Sequence, residues 1–276
     1  MATGHFRHRI DITRRSLLAA AAALPARLSG AQASPPVIDA HCHAGLGETM
    51  TAPYTTRNDV DVTLRHMEEA GIGRTVIFPL INPTYEKANQ EIADLCGRHP
   101  GKFIGFAKHD PETEAGRIRA MLRHEVESLG LKGLKLHKQP TREILDAVAE
   151  FGIPILYHPK EIAMFYPAAD GYPQIPLIMA HLGSFESMNW NWHLEAIEIA
   201  KKHANVYLET SAVVAQQFLE LAAKELGPDK LIFGSDGPDH DSRLELYKVR
   251  LLKLPAEAEA KVLGGNIARW LPKGSL

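Results

Sequence analysis

One rhythm constrains this chain more than any other feature. After residue 34, eight short runs rich in Val, Ile and Leu alternate with longer helix-patterned stretches. The runs are Val37 to His41, Arg74 to Pro79, Phe103 to Ala107, Gly133 to His137, Ile153 to His158, Pro176 to His181, Asn205 to Thr210 and Leu231 to Asp236. Strands buried on both faces read as continuous apolar runs, which is the pattern of a parallel sheet covered by helices. Helix punctuation lies between them, as with Asn58 before Asp59 to Ala70, or Asp110 before Pro111 to Leu129 with Gly130 after it. Eight such units point to an α/β fold of the (β/α)8 TIM-barrel type, a single domain over residues 34–276. A doubly wound open sheet would need a glycine-rich phosphate turn after its first strand, and the first run ends instead in His41-Cys42-His43. Residues 160–174 offer a helix only over Glu161 to Phe165, so this unit is expected to loop over the barrel mouth.

Ionisable side chains are out of place in strands buried on both faces, yet five runs end in His or Asp. A two-residue period puts His41 and His43 on one face and Cys42 on the other. His137, His158, His181 and Asp236 close the fourth, fifth, sixth and eighth runs. All these ends fall at the C-terminal rim, where barrels of this kind carry their active sites. Ionisable groups converging in a dry barrel mouth must be neutralised or coordinated, and a divalent cation does both. Three imidazoles and a carboxylate with an open position for water form a set that zinc accepts. Singly, each residue also reads as a hydrogen-bonded rim histidine, or as a turn cap for Asp236 in Ser-Asp-Gly-Pro. Their joint placement is what points to metal.

These residues resemble the amidohydrolase superfamily, in its amidohydrolase-2 branch, which also holds decarboxylases. The resemblance spans the chain from residue 34 onward and is carried by Val37-Ile38-Asp39-Ala40-His41-Cys42-His43, Gly133-Leu134-Lys135-Leu136-His137, Ala180-His181-Leu182-Gly183, Phe233-Gly234-Ser235-Asp236 and the closing stretch Val262 to Arg269. It implies that His41, His43, His158 and Asp236 hold one divalent ion, with zinc expected, and that His181 orients or deprotonates water or adds a ligand. Lys135 stands where binuclear relatives carbamylate a bridging lysine. In this branch a single metal is usual, so Lys135 is expected to bind substrate or to pair with Asp39 or Glu209. His137 is expected to touch substrate.

Hydrolysis of a lactone, amide or ester follows from a metal that activates water, with Asp236 or His181 taking the proton. The alternative is non-oxidative decarboxylation of a small aromatic or unsaturated acid, for which Lys135, and more weakly Arg57, would meet the carboxylate. A metal-independent lactonase and a non-catalytic binding barrel are further alternatives, since fold alone does not establish activity. Trp190, with Phe185, Trp192 and His193, could stack on a planar substrate or pack the loops, as could Phe165 and Tyr166.

With 31 basic and 33 acidic residues, a net charge of -2 argues for a small-molecule substrate rather than nucleic acid or an anionic membrane. Two cysteines are too few for a disulfide framework. A homo-oligomer is left open. Residues 1–33 read as a signal peptide of the twin-arginine type: Arg14-Arg15, an apolar stretch from Leu17 to Leu24 too short to span a bilayer, and Ala31-Gln32-Ala33 as a cleavage site. Export through the twin-arginine machinery, without a stable membrane anchor, is the expectation.

Overall fold

Parallel strands separated by helices make up the computed structural model, which describes residues 36–45, 47 and 60–271. The expected signal peptide 1–33, the expected cap Asn58 and Arg57 lie outside these residues. The strands are β1 (Val37–Ala44), β2 (Ile72–Pro79), β3 (Phe103–Gly105), β4 (Ala107–Lys108), β5 (Leu134–Leu136), β6 (Ile155–Tyr157), β7 (Leu177–Met179), β8 (Val206–Glu209) and β9 (Leu231–Ile232). They pair in parallel in the orders β1-β2-β3 and β4-β5-β6-β7-β8-β9. β3 and β4 are one expected run divided at Phe106. Its N–H donates back to Ile77 O (2.9 Å), while the N–H of Ala107 donates forward to Gly133 O (2.8 Å), so this run joins the two ladders. At the other seam Ala40 N donates to Phe233 O (3.0 Å), Asp236 N to His41 O (2.7 Å) and His43 N to Gly237 O (2.6 Å). Backbone bonds thus link first strand to last, in keeping with a TIM-barrel fold.

Strand alternation sorts side chains into two layers. Ile77, Ala107, Leu134, Leu136, Ile155 and Leu208 face the helices in the larger apolar cluster. Val76, Phe78, Phe106, Leu156, Ile178 and Ile232 fill the smaller inner one. By the same alternation Lys108, Lys135 and Glu209 point inward, above that inner layer. β1 departs from the simple two-residue pattern. Its pairing with β2 shifts between Asp39 and Cys42, a bulge that lets both Ala40 and the following His41 face the interior.

Two expectations are corrected. Residues 160–174 are not a loop over the mouth: a 3-10 turn at Ile162–Phe165 leads into an α-helix at Tyr166–Gly171. Pro167 in the first turn is compatible with helix, and Phe165 is buried with its ring stacked on Tyr157 at 5.6 Å. The helix expected over Pro111 to Leu129 is regular only over Ile118–Glu127, because Gly116 takes a left-handed conformation (φ 78°) that interrupts it. Among the described residues no helix is long and apolar enough to cross a membrane.

Candidate metal centre

Asp236 is the hub of the barrel mouth. Its Oδ1 lies 3.0 Å from His41 Nε2 and 3.5 Å from His43 Nε2. One ligand atom each from His41, His181 and Asp236 fall within 4.8 Å of one another, a group able to hold a metal ion. Five imidazoles stand around this point in succession: His41 and His43 at 5.7 Å between ring centres, His43 and His137 at 5.8 Å, His137 and His158 at 5.3 Å, His158 and His181 at 4.5 Å, and His181 and His41 at 4.9 Å.

Three of these rings are anchored from behind by Nδ1. His41 Nδ1 meets Glu209 Oε2 at 2.9 Å, His43 Nδ1 meets Pro79 O at 3.3 Å, and His181 Nδ1 meets Ser211 Oγ at 3.0 Å and Ser211 O at 3.3 Å. Fixing Nδ1 sets the tautomer and leaves Nε2 as the ligand atom, the usual arrangement behind metal-binding histidines. The donor set therefore fits a divalent cation. Glu209 also accepts from the N–H of His181 (3.2 Å) and from the N–H (2.5 Å) and Oγ (2.8 Å) of Ser211, so one carboxylate orients residues from three strand ends. Asp39 plays the matching part on β1. It accepts from Ser235 N (2.8 Å), Ser235 Oγ (2.6 Å) and His41 N (3.1 Å), tying the first strand end to the last.

Burial and charge tune these groups towards coordination. Burial pushes His43 and His158 down to about 3 and His181 well below the usual imidazole range, so all three are neutral at physiological pH. For Asp236 burial works the other way, but the neighbouring His41 and His181 and the hydrogen bonds from His41 and His43 hold its carboxyl well below the ordinary range. Both His181 (φ 56°) and Asp236 (φ 57°) occupy the left-handed region, a strained conformation for non-glycine residues that recurs at functional sites.

The structure brings together His41, His43, His137, His158, His181, Asp236 and Lys135. Lys135 pairs with neither Asp39 nor Glu209: its Nζ lies 2.9 Å from His41 Nε2, and burial lowers it to about 8 against the pull of Asp236 and Glu209. Trp190 is not brought in. It is 60% exposed and meets Phe218 edge-on at 5.9 Å, while Phe165 belongs to the core. The aromatic ring at the mouth is Phe185, 5.1 Å from His181 and 5.8 Å from His158. Sequence reasoning missed His240, whose Nδ1 is 3.6 Å from Asp236 Oδ2, and Lys108, buried at the end of β4. Inward alternation from Phe106 was the signal available for Lys108.

Sequence comparison with curated proteins returns no match. Solved structures share the fold over almost their whole length. A 2,6-dihydroxybenzoate decarboxylase in complex with 2,6-dihydroxybenzoate superposes with a TM-score of 0.69 at 16% identity, covering 85% of this chain and 98% of that one. For a dihydroxybenzoic acid decarboxylase from Polaromonas sp. JS666, with bound manganese and 2-nitroresorcinol, the TM-score is 0.64 at 17% identity, with 85% and 96% covered. A probable 2-pyrone-4,6-dicarboxylic acid hydrolase from Acinetobacter baumannii, with citric acid bound, gives 0.66 at 16% identity over 86% and 99%. At such identities the likeness establishes the fold. The sequence itself matches the amidohydrolase family over residues 38–273, from the first buried residue of β1 to beyond the last described helix. Since that match takes in every residue of the imidazole ring and Asp236, the chain belongs to the amidohydrolase family.

Proposed function

We propose that this protein is a metal-dependent, non-oxidative decarboxylase of a small aromatic or unsaturated carboxylic acid. The observation that carries this reading is Lys135, a buried cation on the inner face of the barrel whose Nζ touches His41 at the metal centre. Hydrolysis by activated water needs no such cation, whereas a carboxylate entering a dry site does. Decarboxylases among the structural relatives support the same reading.

A divalent cation, held by His41, His43, His158 and Asp236, would supply Lewis acidity to the substrate's oxygen groups. Lys135 receives the departing carboxylate. Ser211 engages His181 Nδ1, which leaves Nε2 unprotonated and facing the reacting carbon; Nε2 takes up a proton from water and delivers it in place of the carboxyl group. The carbon–carbon bond breaks with its electron pair left on the substrate carbon, carbon dioxide departs, and that pair takes up the proton. Phe185 walls the site beside His158 and His181. Zinc is our first expectation for the ion; imidazole and carboxylate ligands also accept manganese.

Hydrolysis of a lactone, amide or ester is the second reading, favoured by the same convergence of neutral imidazoles on Asp236 and by the hydrolase among the relatives. Incubating zinc- or manganese-loaded protein with aromatic carboxylates, lactones and amides, while following carbon dioxide release and acid production, separates the two. Carbon dioxide release from a carboxylate is the expected result. Turnover of lactones or amides without it would refute the decarboxylase reading.

A further inference from the structure

Lys108 has no part in the chemistry described above. It is 1% exposed, sits on β4 directly opposite Lys135 of β5 in the strand register, and shares the inner face of the barrel. Its ammonium donates to Pro79 O (3.1 Å) and lies 5.4 Å from the centre of the Tyr85 ring. Among the described residues no carboxylate lies within ion-pairing distance of it. A buried ammonium with one carbonyl partner retains two unused donors and an unbalanced charge, an arrangement that costs stability unless an anion completes it. Burial, reinforced by Lys135, accordingly depresses Lys108 well below the usual lysine range.

Its location separates it from the metal centre. Pro79 O is also the partner of His43 Nδ1, whereas His43 Nε2 faces Asp236. The His43 ring therefore stands between the Lys108 ammonium and the carboxylate hub, and Lys135 lies on the hub side, against His41. Next to Lys108, His137 stacks on His43, and its Nδ1 is buried with no hydrogen-bond partner. Lys108 is also the charged group that weighs most on His137. An ammonium with free donors on β4 and an orphaned imidazole nitrogen two residues beyond the Lys135 that faces it form the two halves of an oxyanion cradle.

We propose that Lys108 and His137 form a second anion subsite, which holds an acidic substituent that the substrate keeps through the reaction. The substrate class is then a small planar diacid, with one carboxyl group handled between the metal centre and Lys135 and the other gripped by Lys108 Nζ and His137 Nδ1. Lys108 is the specificity-determining residue of this pair. The inference rests on the proposed function for the group that is lost, not for the group that is retained.

Benzoate and the three benzenedicarboxylates, titrated calorimetrically into metal-loaded protein, test this directly. At least one dicarboxylate is expected to bind about tenfold or more tightly than benzoate, as a charge-assisted bond implies. Lys108→Met should reduce that preference to within about twofold while benzoate affinity and metal content stay unchanged, and Lys108→Arg should keep much of it. If the Met variant does not fold, Lys108→Gln takes its place. Absence of any dicarboxylate preference, its survival without the lysine charge, or loss of metal in the variant would each overturn the subsite, the last by making Lys108 a support for His43. A protein that prefers dicarboxylates but releases no carbon dioxide would instead refute the decarboxylase reading and leave the subsite standing.

Discussion

At the scale of single residues, His41 and Asp236 are the pair on which the site depends. Removing either takes away a proposed metal donor and leaves buried partners, Glu209 behind His41 and the remaining imidazoles around Asp236, without compensation. His41→Ala and Asp236→Ala should abolish turnover and lower bound metal, measured by elemental analysis of the purified proteins. Full metal content with retained turnover in His41→Ala would refute the site. His181→Ala is expected to differ, keeping most of its metal while turnover falls by roughly 10²- to 10⁴-fold, as for a proton-handling group. Lys135→Ala should raise KM for a carboxylate and leave metal content as it was; halving of the metal would show that the lysine bridges two ions. The candidate ligands were legible in the sequence because each ends a buried run where an ionisable side chain has no other reason to be. His240 was not, since it stands at the end of no run read from sequence; Lys108, one residue beyond the third run, was legible only through inward alternation from Phe106.

Elements place these residues by devices a local reading does not reveal. The β1 bulge turns His41 inward after Ala40, and Gly234 makes room behind it. A Cβ at Gly234 would collide with the Glu209 carboxylate and lie 2.8 Å from His41 Cβ. Gly234→Ala should therefore displace Glu209 and weaken metal binding without touching a ligand, which equilibrium dialysis against a chelator would detect; unchanged affinity would show that Glu209 is not needed behind His41. After β4, His109 is held by Glu114 Oε2 and Glu125 Oε2, both at 2.8 Å, and Asn89 ties Glu125 to the backbone of Lys108. Burial opposes charge on His109, yet the two carboxylates outweigh it and raise the imidazole to about 9. A folded-state value above the unfolded one, ~6.5, stabilises fully at lower pH, and that contribution is lost as pH rises through about 9. Denaturation of wild type and His109→Gln at pH 6 and pH 10 should show a stability gap at pH 6, on the order of 3 kcal/mol, that narrows markedly at pH 10. An equal gap at both pH values would mean that the imidazole is uncharged.

For the whole molecule, metal and fold should be coupled, because the site joins strand ends from both ladders. Chelation is expected to lower Tm and metal to restore it, with an increment that grows with free metal concentration; a Tm indifferent to metal would speak against a site that spans β1 and the segment after β9. We also propose that the leader directs twin-arginine export, so an Arg14→Lys, Arg15→Lys double variant should accumulate unprocessed inside the cell. Normal processing and export of that variant would remove the proposal. The sequence by itself determined the βα rhythm, the parallel strands and the line of histidines and Asp236 at strand ends, because burial periodicity and the exclusion of charge from strand interiors are local rules. Only the tertiary structure decided which rings face Asp236, that Glu209 and Asp39 anchor them, that Trp190 stays outside while Phe185 lines the mouth, and that Lys108 lies beside His137. Those outcomes depend on a bulge, on left-handed backbone at His181 and Asp236, and on register between strands distant in sequence, none of which is encoded in the spacing of any one segment.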